Sequence, residues 1–383
     1  MNKKERIIAA IKFKSVDRIP TTFRGTDKAS ENLMKFLKIK EPCKLQKNYK
    51  KLLRKLKADF WSSGSKLGKF TTFIPKYNGP PPKSPYVDDG QLFYAIGINS
   101  IIGRVNSYDY NYIIHGIDPP LADIKTPYEI KEGFLTSKLD LFDFKAMYNK
   151  YNIKNLDYEN IKESNEDFIC MGSLSSLFMI CCYLMGMENF LMTLAYNIKL
   201  AEKIINEVGE FCIEFNKREI YAFGKRADYY GTWDDIAGQY GLMISPKIFK
   251  KYFLPLYKKI IENVKKYNLI FGWHICGSIH EVLPSMIDAG IDVFDVVQTS
   301  AKDMSLEKIF KLYYKKVCLH GGIDVQKVLT SKTPKEVREE VRKVKELWGN
   351  RGGVILAPSH LIVPDIPVEN ILTLYEEINE ISY

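Results

Sequence analysis

The chain has 383 residues, of which 46% are hydrophobic and 27% are charged. This balance is that of an ordinary folded globular protein, and it excludes a chain that is mainly disordered. The length is compatible with a single α/β barrel, because such barrels often run past about 250 residues as one domain.

The net charge is +10 at pH 7, and lysines concentrate in two runs, Lys44–Lys57 and Lys250–Lys266. Apolar and tyrosine residues separate these lysines, as on the solvent-facing side of an amphipathic helix. The sequence contains neither zinc-finger spacing nor an RNA-binding motif, so we predict outer helix faces rather than a nucleic-acid surface. Such a basic surface can still attract an anionic partner or substrate.

Seven cysteines, an odd number, and a charged, amphipathic Met1–Lys14 predict a cytoplasmic protein with reduced thiols. A special cysteine is then expected to be a ligand or a nucleophile rather than half of a disulfide. Phe168–Met187 is uncharged over twenty residues, which is long enough to span a membrane. Because Gly172 and three serines interrupt it, we predict a buried strand, Phe168–Met171, that leads into a buried helix.

The first part of the chain predicts a helix over about the first thirteen residues, followed by a strand, Arg18–Phe23, that ends at Arg24. A basic helix, Asn48–Leu56, then leads into a second strand, Asp59–Ser62. Prolines break residues 66–123, and short alternating runs follow them, so we predict an inserted hairpin or cap there.

The rest of the chain alternates short apolar segments with helical stretches. The predicted strands are Phe168–Met171, Ala227–Thr232, Leu269–Trp273, Val293–Val297, Val317–Leu319 and Val354–Ala357. The predicted helices are Glu188–Arg226, Pro246–Tyr267, Ser278–Ala289, Ser305–Leu312 and Pro334–Trp348. With the two early strands this makes eight, which predicts one (β/α)₈ TIM barrel over residues 1–383.

Polar or reactive side chains follow most of these strands. They are Arg24, Trp233, Asp234, Asp235, His274, Cys276, Gln298, Asp324 and His360. In a barrel the active site lies at the carboxyl ends of the strands, so we expect these side chains to converge on one pocket.

His274 and Cys276 lie two residues apart, so both are expected to face the barrel mouth. Imidazole and thiolate are preferred ligands of Zn²⁺, and His360 at the end of the last strand would complete a three-ligand site. One open position would remain, as in catalytic zinc sites. The alternatives are a metal-free histidine–cysteine pair in the core and a metal-free His360 that acts as an acid or a hydrogen-bond donor.

The segment from His320 to Asp324 contains two glycines, which let the backbone approach a ligand closely. Asp234 and Asp235 are adjacent, so on a strand only one of them can line the pocket, and we predict that Asp234 does so as a catalytic residue beside His360. The predicted substrate-binding residues are Arg24, Trp233, His320 and Asp324.

Several segments resemble the uroporphyrinogen decarboxylase superfamily, and especially its cobamide-dependent methyltransferase branch, over nearly the whole chain. They include RIIAAIKFKSVDRIP, SPKIFKKYFLPLYKKI, HICGSIHEVLPSMIDAGIDVFDVVQ, HGGIDVQKVL and VILAPSHLIVPDIPVENILTLYE. The resemblance implies that H-x-C-G at His274–Gly277 corresponds to the zinc motif of methylcobamide methyltransferases. His360 corresponds to a position that is cysteine in the methyltransferases that feed coenzyme M and histidine in the decarboxylase. Within the superfamily the chain resembles O-demethylase-type methyltransferases.

The resemblance implies a zinc-dependent methyltransferase, in which Zn²⁺ acts on a methoxy oxygen or on an acceptor thiol. The corrinoid would be carried by a separate protein, because the chain has no B₁₂-binding D-x-H-x-x-G segment. The alternatives are a metal-free decarboxylase, with Arg24 and Arg104 as candidates to bind carboxylates, and a non-catalytic barrel that binds a ligand. The resemblance also suggests a homodimer, and neither nucleic acid nor a membrane is an expected partner.

Overall fold

The computed structural model describes residues 1–39, 46–59, 74–79, 101–102, 115–116, 119–148, 168, 170–172, 175–223 and 227–380. The α-helices in this part of the chain are α1 (Lys3–Ile11), α2 (Asp27–Phe36), α3 (Gln46–Lys55), α4 (Leu177–Met185), α5 (Met187–Tyr196), α6 (Ile198–Phe223), α7 (Leu254–Lys266), α8 (Leu283–Asp288), α9 (Leu306–Tyr313), α10 (Pro334–Trp348) and α11 (Val368–Asn379). Short helical turns, Pro246–Ile248 and Phe249–Phe253, lead into α7.

The strands fall into one large sheet and three small antiparallel pairs. They are β1 (Ile74–Tyr77), β2 (Ile101–Ile102), β3 (His115–Gly116), β4 (Phe142–Tyr148), β5 (Cys170–Gly172), β6 (Tyr229–Trp233), β7 (Ala237–Gly238), β8 (Gly241–Leu242), β9 (Ile270–His274), β10 (Val293–Val297), β11 (Cys318–Ile323) and β12 (Val354–Pro358).

The large sheet is parallel and has the order β12-β11-β10-β9-β6-β5. The described parts of the two predicted early strands lie beside it but form only an isolated bridge and single hydrogen bonds. Thr21 forms a parallel bridge with Leu356 of β12, and the amide of Asp59 donates to the carbonyl of Thr21 at 2.8 Å. To complete a ring, the second segment would have to pair with β5. Residues 60–62 of that segment lie outside the described residues.

This sheet is curled and not flat. In a flat sheet β12 and β5 would stand about 24 Å apart, at roughly 4.8 Å per strand. Nevertheless Ile355 of β12 and Phe168, just before β5, line the same small cavity, which Ile11 of α1 also lines. Helix α1 closes the amino-terminal end of the strands, where Ile7 packs against Tyr229 and Ile355 in one apolar cluster. The predicted α/β barrel architecture is therefore confirmed.

The predicted helix Glu188–Arg226 is two helices. Asn197 has φ −140° and ψ 65°, which ends α5, and its side-chain oxygen accepts from the amide of Leu200 at 3.4 Å in the first turn of α6. Asparagine favours such breaks, because its side chain competes with the helical backbone for hydrogen bonds. The predicted helix Ser278–Ala289 is also shorter, since α8 begins only at Leu283, with proline in its first turn.

The predicted insertion at residues 66–123 contains β1, β2 and β3. Strand β1 pairs antiparallel with β4, which was not predicted, and β2 pairs antiparallel with β3. The alternating runs predicted at Leu92–Ile96 and Tyr108–Ile114 lie outside the described residues.

The long uncharged segment is a strand and a helix, as predicted. Every residue of α4 is buried. Among the described residues no single helix has the length and apolar composition to cross a membrane, while α4 and α5, bent by 102°, pass that test as a pair. The basic run Lys250–Lys266 lies on an outer face, as predicted, where Lys250, Lys258 and Lys259 are exposed.

Candidate metal centre

The candidate site lies where β6 and β9 end side by side. Trp233, the last residue of β6, is paired with His274, the last residue of β9. A potential metal ligand follows each strand, Asp235 after β6 and Cys276 after β9. The ligand atoms of Asp235, His274 and Cys276 all lie within 4.8 Å of one another, and all three residues are partly buried. The strand ends thus bring together one carboxylate, one imidazole and one thiol.

The alternation of side chains along a strand explains this meeting. Tyr229 of β6 packs inside the barrel, so Trp233, four residues later, belongs to the same face of the strand. Asp235 continues that series beyond the end of β6, as Cys276 continues the series of His274 beyond β9. Both pairs of residues are therefore presented at the barrel mouth.

Backbone contacts fix the segment that carries the thiol. The amide of Cys276 donates to Oδ1 of Asp235 at 3.1 Å, and the amide of Gly277 donates to Oε1 of Gln298 at 2.7 Å. Gly277 has φ +87°, in the left-handed region that only glycine adopts readily. A Cβ at this position would lie 2.5 Å from the carbonyl oxygen of Gly238, so the close approach also requires glycine.

His274 is oriented by a carboxylate. Its Nδ1 lies 2.8 Å from Oδ2 of Asp295, and its Nε2 lies 3.4 Å from Sγ of Cys276. An ionised carboxylate only accepts hydrogen bonds, so Nδ1 carries a proton and donates it to Asp295, and Nε2 is the nitrogen directed at the thiol. Burial lowers the pKa of His274, but the nearby Asp295 and Cys276 outweigh it and hold that pKa well above its usual value.

Asp295 is the centre of a buried polar network and is only 1% exposed. Its Oδ1 accepts from Nη2 of Arg24 at 2.6 Å and lies 2.9 Å from Nδ1 of His320. Burial raises the pKa of Asp295, but Arg24, His320 and His274 together hold it well below its usual value. The carboxylate is therefore ionised, with both oxygens engaged.

His320 lies beneath the barrel rim and is 5% exposed. Its Nε2 lies 2.7 Å from Oγ1 of Thr22. Burial lowers the pKa of His320, and this effect outweighs the neighbouring Asp295, so the ring is neutral at pH 7. The residue predicted to bind substrate thus lies in the same network as Asp295.

Asp234 differs from the prediction, because its carboxylate does not face the mouth. It is fully buried and accepts hydrogen bonds from the amides of Phe178 and Met179, in the first turn of α4, at 2.8 and 2.9 Å. The hydroxyl of Tyr257 donates a third, at 2.6 Å. Burial raises the pKa of Asp234 to about 7, against the lowering effect of these three donors. The carboxylate of Asp235, and not that of Asp234, therefore lies near the ring of His274.

His360 follows β12 and lies outside the group of ligand atoms around Cys276. It is exposed, and partial burial together with the charges of His274 and Arg24 lowers its pKa to about 4. Because His360 follows a strand of the same parallel sheet, it lies at the same end of the barrel as His274 and Cys276. Its predicted roles as a zinc ligand and as a catalytic group stay predictions.

The other predicted substrate-binding residues take different positions. Trp233 is partly buried at the end of β6, and Arg24 is partly buried between two residues that form isolated bridges to the chain around β12. Asp324 instead caps a helical turn, Val325–Leu329, by accepting from the amides of Gln326 and Lys327 at 2.7 and 3.0 Å. The structure therefore gives Asp324 a local structural contact.

Two residues of the site were missed from the sequence. Asp235 could have been chosen over Asp234, because it shares strand parity with Trp233. Asp295 could have been recognised as a single carboxylate within the apolar run Val293–Val297. A buried carboxylate in a strand requires partners, and this signal points to a polar site.

The donor set fits a zinc ion. Carboxylate oxygen, imidazole nitrogen and cysteine sulfur are all ligands that Zn²⁺ takes in proteins, and three of them leave one position for a substrate. The Nδ1 hydrogen bond from His274 to Asp295 is the contact that metal-binding histidines typically make with a carboxylate. Asp235 fills the place in the ligand group that the sequence had suggested for His360.

Comparison with known proteins places the chain in a family. The sequence profile of the uroporphyrinogen decarboxylase (URO-D) family matches residues 158–381, which is more than half of the chain. The chain belongs to the URO-D family. The matched region runs from before β5 to the end of α11 and contains Asp235, His274, Cys276 and Asp295.

Curated relatives within this family carry two kinds of name. The methylcobamide:CoM methyltransferase MtbA of Methanosarcina acetivorans is 26% identical over 181 residues, which cover 47% of this chain and 50% of that protein. A uroporphyrinogen decarboxylase of Legionella pneumophila is 25% identical over 228 residues, covering 58% of this chain and 61% of that protein. The chain thus spans about half to three fifths of the length of these relatives.

A solved structure of a methyltransferase from Methanosarcina mazei resembles the fold over its full length. The two chains are 18% identical, the TM-score is 0.59, and the match covers 99% of each chain. This likeness supports the barrel architecture.

Proposed function

We propose that this protein is a zinc-dependent methyltransferase that moves a methyl group between a small methylated compound, or a thiol, and a corrinoid carried by a separate protein. The observation that carries the proposal is the group formed by Asp235, His274 and Cys276, whose ligand atoms lie within 4.8 Å of one another. Its position at the carboxyl ends of barrel strands is that of active sites in this architecture.

The residues of the group would hold the zinc ion through one oxygen, one nitrogen and one sulfur atom. Zinc bound in this way supplies Lewis-acid chemistry and stabilises the anionic form of an oxygen or sulfur atom. His274 presents Nε2 because Asp295 accepts the proton-bearing Nδ1. Cys276 is held in place by the amide contact to Asp235, and it would supply a thiolate sulfur to the metal.

The surrounding residues suggest how a substrate would be positioned. Trp233 is only partly buried and lies beside His274, so its ring can form one wall of a pocket. Exposed His360 stands on the same rim and can donate or accept a hydrogen bond. The names of the MtbA relatives support a corrinoid partner and a small acceptor or donor.

The decarboxylase alternative has support of its own, since several curated relatives are named uroporphyrinogen decarboxylase. A decarboxylase that acts on a polycarboxylate needs cationic side chains directed at its substrate. Among the described arginines, Arg24 is the one linked to the candidate centre, because it donates to Asp295 at 2.6 Å. An arginine whose charge is already balanced attracts a further carboxylate less strongly, which favours methyl transfer.

The first test is metal content, measured by elemental analysis of purified wild-type protein and of Cys276→Ser and His274→Ala. We expect about one zinc per chain in the wild type, as one three-ligand site implies, and a large loss in both variants. Cys318→Ala is the matched control, because Cys318 is buried lower on β11, in the apolar cluster that Ile7 closes. Zinc retained in both site variants would exclude this assignment.

The second test separates the two activities. Methylcobalamin with coenzyme M, and cob(I)alamin with a panel of methoxylated aromatic acids, would each be followed by the absorbance change of the corrinoid. Uroporphyrinogen would be assayed in parallel for loss of carboxyl groups. Methyl transfer that disappears in Cys276→Ser supports the proposal, whereas decarboxylation that persists in that variant would replace it with the metal-free reaction.

A further inference from the structure

The row of polar residues beneath the candidate metal centre is more extensive than ligand binding alone requires. Asp295 of β10 is paired in register with His274 of β9 on one side and with His320 of β11 on the other. Arg24 and Thr22 reach the same row from the segment next to β12. Three adjacent strands and a fourth segment thus contribute one hydrogen-bonded network inside the barrel.

The hydrogens of this network can be assigned from its acceptors. Ionised Asp295 accepts only, so Nδ1 of His320 and Nδ1 of His274 each carry a proton toward it. Neutral His320 then has a bare Nε2, which accepts from the hydroxyl of Thr22 at 2.7 Å. Thr22 thus donates to His320, and both His320 and Arg24 donate to Asp295. His274 donates to Asp295 from the opposite side, so its Nε2 is the nitrogen left to bind a metal.

We propose that Asp295 is a positioning residue for the metal ligand His274, and that Arg24, His320 and Thr22 hold Asp295 itself away from the metal. The inference rests on the zinc site proposed above, and it concerns how the chain builds that site. Asp295 acts by fixing the ring orientation and the tautomer of His274. Its own oxygens are engaged by three donors and accept no metal.

The geometry supports this division of roles. Oδ2 of Asp295 is used by His274 at 2.8 Å, and Oδ1 is used by Arg24 at 2.6 Å. Asp295 is 1% exposed, whereas Asp235, His274 and Cys276 are all partly buried at the mouth. A metal ligand has to reach the metal at the barrel mouth, whereas a positioning residue contacts the ligand from deeper in the barrel.

The test is a double-mutant cycle on zinc affinity, measured by competition with a chelating dye. Asp295→Asn is expected to weaken zinc binding about 10- to 100-fold in the wild-type background, the usual cost of losing such a partner. In the His274→Ala background the same change is expected to alter zinc affinity by no more than about 2-fold, because the ring on which it acts is absent. Asp292→Asn is the matched control just before the same strand, since its carboxylate contacts Lys265 and the amide of Phe271 and not the site.

Cobalt(II) gives a second readout that does not depend on activity. Asp295→Asn loaded with cobalt should keep the charge-transfer band of the Cys276 thiolate, while the visible d–d bands change as the imidazole turns. An unchanged spectrum with wild-type affinity would overturn the inference. So would an equal loss of affinity in both backgrounds, or loss of the thiolate band, since either result indicates a general structural role.

A milder variant covers the case in which Asp295→Asn fails to fold. Thr22→Val keeps the shape of the side chain but removes the donor to His320, and it should weaken zinc binding in the same direction through His274. Wild-type protein that binds no zinc would refute the proposed function itself. Zinc that depends on His274 and Cys276 but ignores Asp295 and Thr22 would refute only the positioning role.

Discussion

Gly277 provides the sharpest local test of the candidate site, because it follows the thiol of Cys276 directly. Its φ of +87° lies in the region that a side chain disfavours. An added Cβ would meet the carbonyl oxygen of Gly238 at 2.5 Å and the carbonyl carbon of the same residue at 2.8 Å. These are backbone atoms of β7, which cannot swing aside as the end of a flexible side chain can.

Gly277→Ala should therefore combine two costs. A non-glycine residue in the left-handed region costs about 1–2 kcal/mol, and overpacking against fixed neighbours costs about 1–3 kcal/mol more. We expect a total of about 2–5 kcal/mol in the free energy of unfolding. Gly290→Ala is the control, because Gly290 also has a positive φ, +102°, but its added Cβ would make only an ordinary contact of 3.5 Å with Ile261. Only the conformational cost of about 1–2 kcal/mol applies there.

The measurement is urea unfolding of the wild type and the two variants, followed by zinc affinity of the folded proteins. Gly277→Ala should be the less stable variant by about 1–3 kcal/mol, the overpacking cost alone. It should also bind zinc more weakly, since relief of the contact moves Cys276 or the β7 backbone. Equal stability of the two variants would show that the close approach of Gly277 to Gly238 is not as described.

The remaining predictions concern carboxylates. Asp235→Asn should weaken zinc binding at least about 10-fold, as expected for loss of a direct ligand. Asp234→Asn should leave zinc binding unchanged but lower the free energy of unfolding by about 1–3 kcal/mol, because it removes an acceptor for buried donors. Loss of zinc from the Asp234 variant alone would reverse these assignments. Arg6 holds the pKa of Asp17 well below its usual value, so ionised Asp17 adds stability above about pH 4, which is lost as the pH falls further. Urea midpoints should therefore separate wild type from Asp17→Asn at pH 7 more than at pH 3, and an equal separation at both would contradict this linkage.

Much of the barrel was predictable because its local signals agree with one another. The strand prediction Val293–Val297 and the helix prediction Pro334–Trp348 coincide with β10 and α10. All residues of β10 are buried, and α10 begins with a threonine capping box and a proline, so both elements carry clear boundaries. The break at Asn197 was missed, since one asparagine in a long amphipathic pattern is a weak signal beside the pattern itself.

The residues of the candidate site also differ in how far the sequence alone predicts them. His274 and Cys276 were predictable because a two-residue spacing fixes their common side within a single strand. The choice between Asp234 and Asp235 needed only the parity of β6, but that parity depends on which face of the strand is the interior. The role of Asp295 was harder to predict, because its partners lie on two neighbouring strands. The sequence of a single strand does not determine its register with the next strand.

The polar row also carries an energetic argument about function. One layer lower, Val293 of β10 is paired with Gly272 and Cys318 on the adjacent strands, and an apolar cluster closed by α1 fills the interior. An apolar side chain at position 295 would continue that packing without the desolvation cost that a buried carboxylate and guanidinium incur. Buried charges of this kind are a poor route to stability, and they concentrate where a site needs groups held in one orientation. The network around Asp295 is thus best explained by the chemistry at the mouth above it, and the dependence of zinc affinity on Asp295 is the quantity that tests this explanation.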